Sequence, residues 1–261
     1  SLRSGRSAST VSQSHEGVSV EFSGNAVLVT GASSGIGAQI ARRFAELGAD
    51  VAINSSKSHE AGKAVAEQIG GMYCRADIAD DDAARRMIAE VVESFGRLDV
   101  VVNNAGVTQV VPHDDLEAVT DDVWKTILGV NIVGTWHVTR AAVPHLEKAE
   151  NASVINITSI AGIRNLGSSI PYAVSKAGLN HLTGLLAKTL GPGIRVNAVA
   201  PGLVDTPWTE SWDEMRAYVS ETVPMRRPAT DDDVAEACLF LARSTFVTGD
   251  VIVVDGGHQL L

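Results

Sequence analysis

The sequence predicts an α/β fold: one domain built on a doubly wound parallel sheet of about seven strands, with helices on both faces. Three observations lead there. Short apolar runs rich in β-branched residues alternate with longer stretches of helical character along most of the chain. A glycine-rich turn sits between the first such strand and the first such helix. The 261 residues show one composition throughout, 45% apolar and 20% charged, with no internal repeat, so a single large core suffices.

The strands are expected at residues 26–30, 51–54, 72–75, 100–103, 154–158, 195–199 and 251–255, with 72–75 the weakest. Each is short, apolar and continuous, the pattern of a strand buried on both faces. Helices are expected at 36–47, 60–69, 82–94, 121–149, 172–190 and 232–243. Right-handed crossovers between parallel strands give the doubly wound arrangement. Residues 1–20 are Ser-rich, carry Arg3 and Arg6 and have few large apolar side chains, so they read as a flexible tail. They lack the apolar core of a secretory signal, and Glu16 and Glu21 break the acid-poor pattern of a transit peptide. A small flap is expected at 207–228.

Charge and cysteine content narrow the function. Lys and Arg total 21 against 31 Asp and Glu, a net charge of −10, which argues against nucleic-acid binding. No apolar run approaches the roughly 18 residues of a membrane span. The two cysteines, Cys74 and Cys238, are far apart, which suggests a reducing, cytoplasmic setting without a disulfide framework. The histidines and cysteines form no metal-binding spacing, so no metal is expected.

An acidic chain must hold an anionic ligand with local donors, and the segment Thr30-Gly31-Ala32-Ser33-Ser34-Gly35-Ile36-Gly37 offers them. Gly31 suits the tight turn out of the strand, Gly35 a close approach to a pyrophosphate, and Gly37 close packing of helix on sheet. The helix N-terminus then presents free N–H groups to phosphate. A purely structural turn would have the same composition. Tyr172 and Lys176 stand one turn apart on one helical face, where an ammonium lowers the phenol pKa from its usual value near 10. Ser159 follows the fifth strand at the carboxyl edge of the sheet, where open α/β folds bind ligands.

With the TGASSGIG segment at 30–37, Asp77-Ile78, Asn103-Asn104-Ala105-Gly106, Asn131, Ser159, Tyr172-Ala-Val-Ser-Lys176, Pro201-Gly202 and Val254-Asp255-Gly256-Gly257 in order, the chain resembles the short-chain dehydrogenase/reductase family. The resemblance runs from about Phe22 to the end. It implies a Rossmann-like fold and an oxidoreductase that interconverts a ketone and a secondary alcohol by hydride transfer with a nicotinamide cofactor. Tyr172 would be the general acid or base, Lys176 would also bind the nicotinamide ribose, Ser159 would hold the carbonyl oxygen, and Asn131 would hold a water joining Lys176 to solvent. Gly31, Ser33, Ser34, Gly35, Ile36 and Gly37 would cradle the pyrophosphate. Asp77 and Ile78 would meet the adenine, Asn104, Ala105 and Gly106 the adenosine ribose. Pro201, Gly202, Leu203, Val204 and Thr206 would touch the carboxamide. Asp77 could equally cap the next helix, and Asn103 and Asn104 could simply pin neighbouring strands.

Cofactor choice turns on Asn54, Ser55, Ser56 and Lys57, after the second strand. The acid that selects NAD is absent from Ser55, and Lys57 with its serines suits a 2′-phosphate, so NADP(H) is favoured over NAD(H). Trp208, Trp212, Met215 and Tyr218 of the flap either close over an apolar or cyclic substrate or fasten the flap to the body. Arg164 reads as a solvated arm or as a carboxylate binder. A 3-oxoacyl group on an acyl carrier protein is one substrate option, although residues 145–151 have mixed charge and Lys188 and Arg195 add little. Helices 121–149 and 172–190 carry surplus apolar surface, and the resemblance implies a homotetramer. A nucleotide-sensing module, an NAD-dependent alcohol or polyol dehydrogenase, and an epimerase or dehydratase are the alternatives; the Tyr172–Lys176–Ser159–Asn131 set disfavours the sensor.

Overall fold

A computed structural model describes residues 21–261; the N-terminal tail expected at 1–20 lies outside the described residues. Seven parallel strands form one sheet: β1 (Ala26–Val29), β2 (Asp50–Ser55), β3 (Met72–Arg75), β4 (Val100–Asn103), β5 (Ala152–Ile157), β6 (Ile194–Pro201) and β7 (Val251–Val254). Each lies within two residues of its expected bounds. Their order is β3-β2-β1-β4-β5-β6-β7, with Val27 of β1 paired to Val51 on one side and Val100 on the other. The chain direction across the sheet therefore reverses between β1 and β4, and such a switch point opens a crevice at the carboxyl ends of the strands.

Helices α1 (Gly35–Glu46), α2 (His59–Gln68) and α3 (Asp81–Phe95) connect the first four strands. Then come α4 (Asp121–Leu128), α5 (Thr135–Leu146), α6 (Ile170–Leu190), α7 (Asp213–Thr222) and α8 (Asp231–Arg243). One core joins the sheet to α1, α2 and α8 through Ile40, Phe44, Val65 and Leu239. The other joins it to α3, α5 and α6 through Met87, Ile88, Val138 and Leu186. Strand residues alternate between the two, Val27 and Val29 facing one and Leu28 the other, which is why the strands read as unbroken apolar runs.

The single helix expected at 121–149 is a correction. It consists of α4, a π-helical turn at Gly129–Gly134, and α5. Such widened turns cluster at functional positions, and this one contains Asn131. Among the described residues no helix is long and apolar enough to cross a membrane.

Candidate active site

A cleft of about 1600 Å³ runs along the carboxyl edge of the sheet. At one end lies the glycine turn. Gly31 and Gly35 have φ of +63° and +53°, the left-handed region that glycine adopts without strain. Ser34 caps α1 from an extended conformation without spending its side chain on the cap, and no acidic residue occupies the first turn. The N–H groups there remain directed at the cleft, ready for an anion.

Gly37 has a different task from the one its place in the sequence suggests. A Cβ there would lie 2.3 Å from Asn104 Nδ2 and 2.7 Å from the Gly31 carbonyl oxygen. The space is needed for the Asn104 amide, which donates to the carbonyls of Thr30 at 3.0 Å and Gly31 at 2.9 Å. Thr30 Oγ1 accepts from the N–H groups of Asn104 and Ala105, both at 3.1 Å. Asn104 and Thr30 thus weld the glycine turn to the end of β4. Asn103 is a strand pin: its amide donates to Thr139 Oγ1 and Asn156 Oδ1.

At the end of β2, Asn54 donates to the carbonyls of Cys74 and Ala76. Ser55 is turned inward: its hydroxyl meets Tyr73 Oη at 2.9 Å and the Ser58 carbonyl at 3.1 Å. Ser56 and Lys57 are exposed and line the cleft. No carboxylate replaces Ser55. Asp77 also lines the cleft and accepts only from the N–H of Ala79, while Asp80 caps α3 through Ala83 N–H. The capping alternative for Asp77 is thereby removed.

The reacting groups stand midway along the cleft. Ser159, Tyr172 and Lys176 all line it. Ser159 Oγ accepts from Ala161 N–H at 3.1 Å, and its hydroxyl stands beside the Tyr172 phenol. Lys176 Nζ lies 5.6 Å from the centre of the Tyr172 ring and donates to the Ile157 carbonyl at 2.9 Å. Lys176 is buried, and desolvation lowers its pKa to about 8. Burial raises the Tyr172 phenol, while the adjacent Ser159 hydroxyl pulls it down. In the protein alone, burial is the larger of these two effects on the phenol.

Asn131 does not line the cleft. Its side chain is engaged: Oδ1 accepts from Val107 N–H at 2.8 Å, and Nδ2 donates to the Val107 carbonyl and Ser175 Oγ. Ser175 in turn donates to the Tyr172 carbonyl at 2.7 Å. Nδ2 has no hydrogen left for a water, while Oδ1 keeps one acceptor site. Asn131 fixes the loop after β4 against α6, and a Cβ on Gly106 would sit 3.4 Å from Asn131 Oδ1 and 3.5 Å from Lys176 Nζ. Ser175 went unassigned from the sequence, although its place inside the Tyr172–Lys176 motif is a usable signal.

The remaining expected positions, Ser33, Ile36, Ile78, Ala105, Pro201, Gly202, Leu203, Val204 and Thr206, all line the cleft. So do Trp208, Trp212, Met215 and Tyr218 of the flap, which consists of a short turn at Pro207–Thr209 and α7. Trp208, Met215 and Tyr218 are exposed and Trp212 is half-buried, so these side chains line the cleft rather than fasten the flap. Arg164 donates to main-chain oxygens of Gln259 and Leu261.

A doubly wound sheet, an anion cradle at its switch point, and a serine, tyrosine and lysine beside that cradle define a nucleotide-linked oxidoreductase. The comparisons agree. Residues 31–259 match the family described as Enoyl-(Acyl carrier protein) reductase. The chain is 52% identical over 238 residues to the granaticin polyketide synthase ketoacyl reductase 2 of Streptomyces violaceoruber, covering 90% of this chain and 96% of that one. A short-chain dehydrogenase from Burkholderia cenocepacia J2315 in complex with NADP superposes with a TM-score of 0.83 at 35% identity, covering 90% of this chain and 98% of that one. The 3-ketoacyl-(acyl-carrier-protein) reductase from Brucella melitensis complexed with NADH gives 0.85 at 31%, covering 91% and 99%. The chain belongs to the short-chain dehydrogenase/reductase family. It is an oxidoreductase that interconverts ketones and secondary alcohols with a nicotinamide cofactor.

Proposed function

We propose that this chain is an NADP(H)-linked ketoreductase of 3-oxoacyl or cyclic ketones, with Tyr172 as its proton donor. The observation that carries the reading is the meeting of the anion cradle with Ser159, Tyr172 and Lys176 in one cleft. The residues fit a dinucleotide: the backbone at Gly31 and Gly35 is shaped to approach a pyrophosphate, and α1 aims free N–H groups at the same place. The bound nicotinamide supplies hydride to the carbonyl carbon.

The chain's own residues do the rest. Ser159 and the Tyr172 hydroxyl hold the carbonyl oxygen and polarise it. Tyr172 gives that oxygen a proton as negative charge develops on it. Lys176 holds the nicotinamide ribose and, when protonated, stabilises the tyrosinate left behind. Burial holds the phenol's pKa above its usual value, so the group carries the proton that reduction consumes. In oxidation the same group must first lose its proton.

NADP(H) is favoured because the end of β2 has no acid to repel a 2′-phosphate, and Ser56 and Lys57 are free to meet one. The 3-oxoacyl class follows from the ketoacyl reductases to which the chain is similar. The aromatic flap suits a cyclic or unsaturated body attached to the ketone. Arg195 gives nothing to an acyl carrier protein: it is buried against Asn151 and the carbonyls of Leu241 and Ala242. Val133, Trp136, Val174 and Leu185 leave an exposed apolar face on the helices around α6, as a homotetramer requires, and light scattering measures that assembly. Cys74 and Cys238 are buried free thiols, and burial pushes Cys74 up to about 12, which suits a reducing, cytoplasmic compartment.

Nicotinamide absorbance followed across a panel of 3-oxoacyl esters, cyclic ketones and polyols, with NADPH and NADH in parallel, tests the reading. Turnover of ketones with NADPH ahead of NADH supports it. A clear preference for NADH, or activity on polyols alone, overturns it.

A further inference from the structure

The C-terminal turn carries a side chain that the reaction described above leaves unused. After β7, Gly256 and Gly257 take φ of +63° and +90°, and the chain closes into a short helical turn at His258–Leu260. The turn is braced from two sides. The Asp255 carboxylate accepts from the N–H groups of Gly257 at 2.8 Å and Gln259 at 2.7 Å. Arg164, on the loop that follows Ser159, donates to the Gln259 carbonyl at 2.6 Å. The site's serine loop and the end of the chain are thereby held together.

This bracing sets His258 on the wall of the cleft beside Tyr218 of α7, with ring centroids 6.1 Å apart. Among the described residues neither His258 Nδ1, which is buried, nor Nε2 has a hydrogen-bond partner. A histidine's tautomer is ordinarily set by a hydrogen bond at one ring nitrogen. None sets it here, so Nε2 can donate or accept as a ligand demands. The nearby wall is Trp208, Trp212 and Met215, and in an apolar pocket a few polar groups fix orientation.

We infer that His258 is a specificity-determining residue that hydrogen-bonds a second oxygen of the substrate, other than that of the carbonyl being reduced. The preferred class is then oxygenated ketones, such as 3-oxo esters and thioesters or polyketones, over plain ketones of the same size. This deepens the ketoreductase reading and rests on it for the location of the substrate.

The test compares kcat/KM for ethyl 3-oxobutanoate and 2-octanone, which have equal numbers of heavy atoms, with NADPH in excess. His258→Phe keeps a ring against Tyr218 and removes both nitrogens. It is expected to lower the ester's kcat/KM by about tenfold, the worth of one hydrogen bond, and to leave 2-octanone within about twofold. His258→Gln, which retains a donor and an acceptor, is expected to recover part of the ester's rate. Equal losses on both ketones, or no loss on the ester, overturn the inference while the ketoreductase reading stands. A wild-type enzyme that reduces neither ketone overturns that reading and this inference with it.

Discussion

Replacing Gly37 by alanine sets two effects against each other, and the structure says which wins. Gly37 lies in the first turn of α1, where alanine improves helix propensity by about 1 kcal/mol. The new methyl would fall 2.3 Å from Asn104 Nδ2, 2.7 Å from the Gly31 oxygen and 2.9 Å from Ala32 Cα. Two of these neighbours are main chain, so the Asn104 amide must move. Its hydrogen bonds to the Thr30 and Gly31 carbonyls are then lost, at about 1 kcal/mol each, and overpacking adds roughly 1–3 kcal/mol. The net expectation is destabilisation of roughly 2–4 kcal/mol, together with at least about a tenfold weaker NADPH Kd because the cradle shifts. Gly184 is the control: it is exposed in α6, a Cβ there meets nothing within 4 Å, and alanine should be neutral or slightly stabilising. Urea unfolding and NADPH fluorescence titration measure both quantities. Unchanged stability and Kd in Gly37→Ala would refute the claim that Asn104 holds the turn.

Lys176→Met probes the buried cation. Because the folded-state pKa of Lys176 is lowered to about 8, the unfolded chain binds the extra proton between about pH 8 and 10.5, so this lysine costs stability below that window and not above it. Relative to the variant, the wild type should therefore gain stability as pH rises from 8 to 10.5; parallel stability curves would contradict the burial, and turnover should be lost throughout. Lys57→Ala should raise KM for NADPH by about fivefold to tenfold while leaving that for NADH unchanged, as expected if one exposed cation faces a phosphate; equal changes for both cofactors would argue against the assignment.

The sheet was legible because its inner strands are buried on both faces, so runs such as Val100–Asn103 stand out from the helical stretches around them, whereas the edge strand β3 is only partly buried. The glycine turn and the Tyr172–Lys176 pair were legible because their chemistry depends on spacing within one segment. What escaped depends on partners distant in sequence. The break in the helix at Gly129–Gly134 contains Asn131, whose amide is bonded to the main chain of Val107, and no local apolar pattern records that. Ser55 read as one of the serines available to a 2′-phosphate, but its hydroxyl is turned inward to Tyr73 of β3. The phenol's pKa depends on how much protein surrounds it, which spacing to Lys176 does not reveal. Asp77 lines the cleft, and only the fold shows that Asp80 does the capping.

The central claim is that Tyr172 transfers the proton at a site whose cofactor grip lies elsewhere. Tyr172→Phe removes one oxygen and leaves the ring against Lys176. The account predicts that kcat for ketone reduction falls by at least about a thousandfold while the Kd for NADPH stays within about threefold. Retention of most of the wild-type kcat in a variant that still binds NADPH would contradict it.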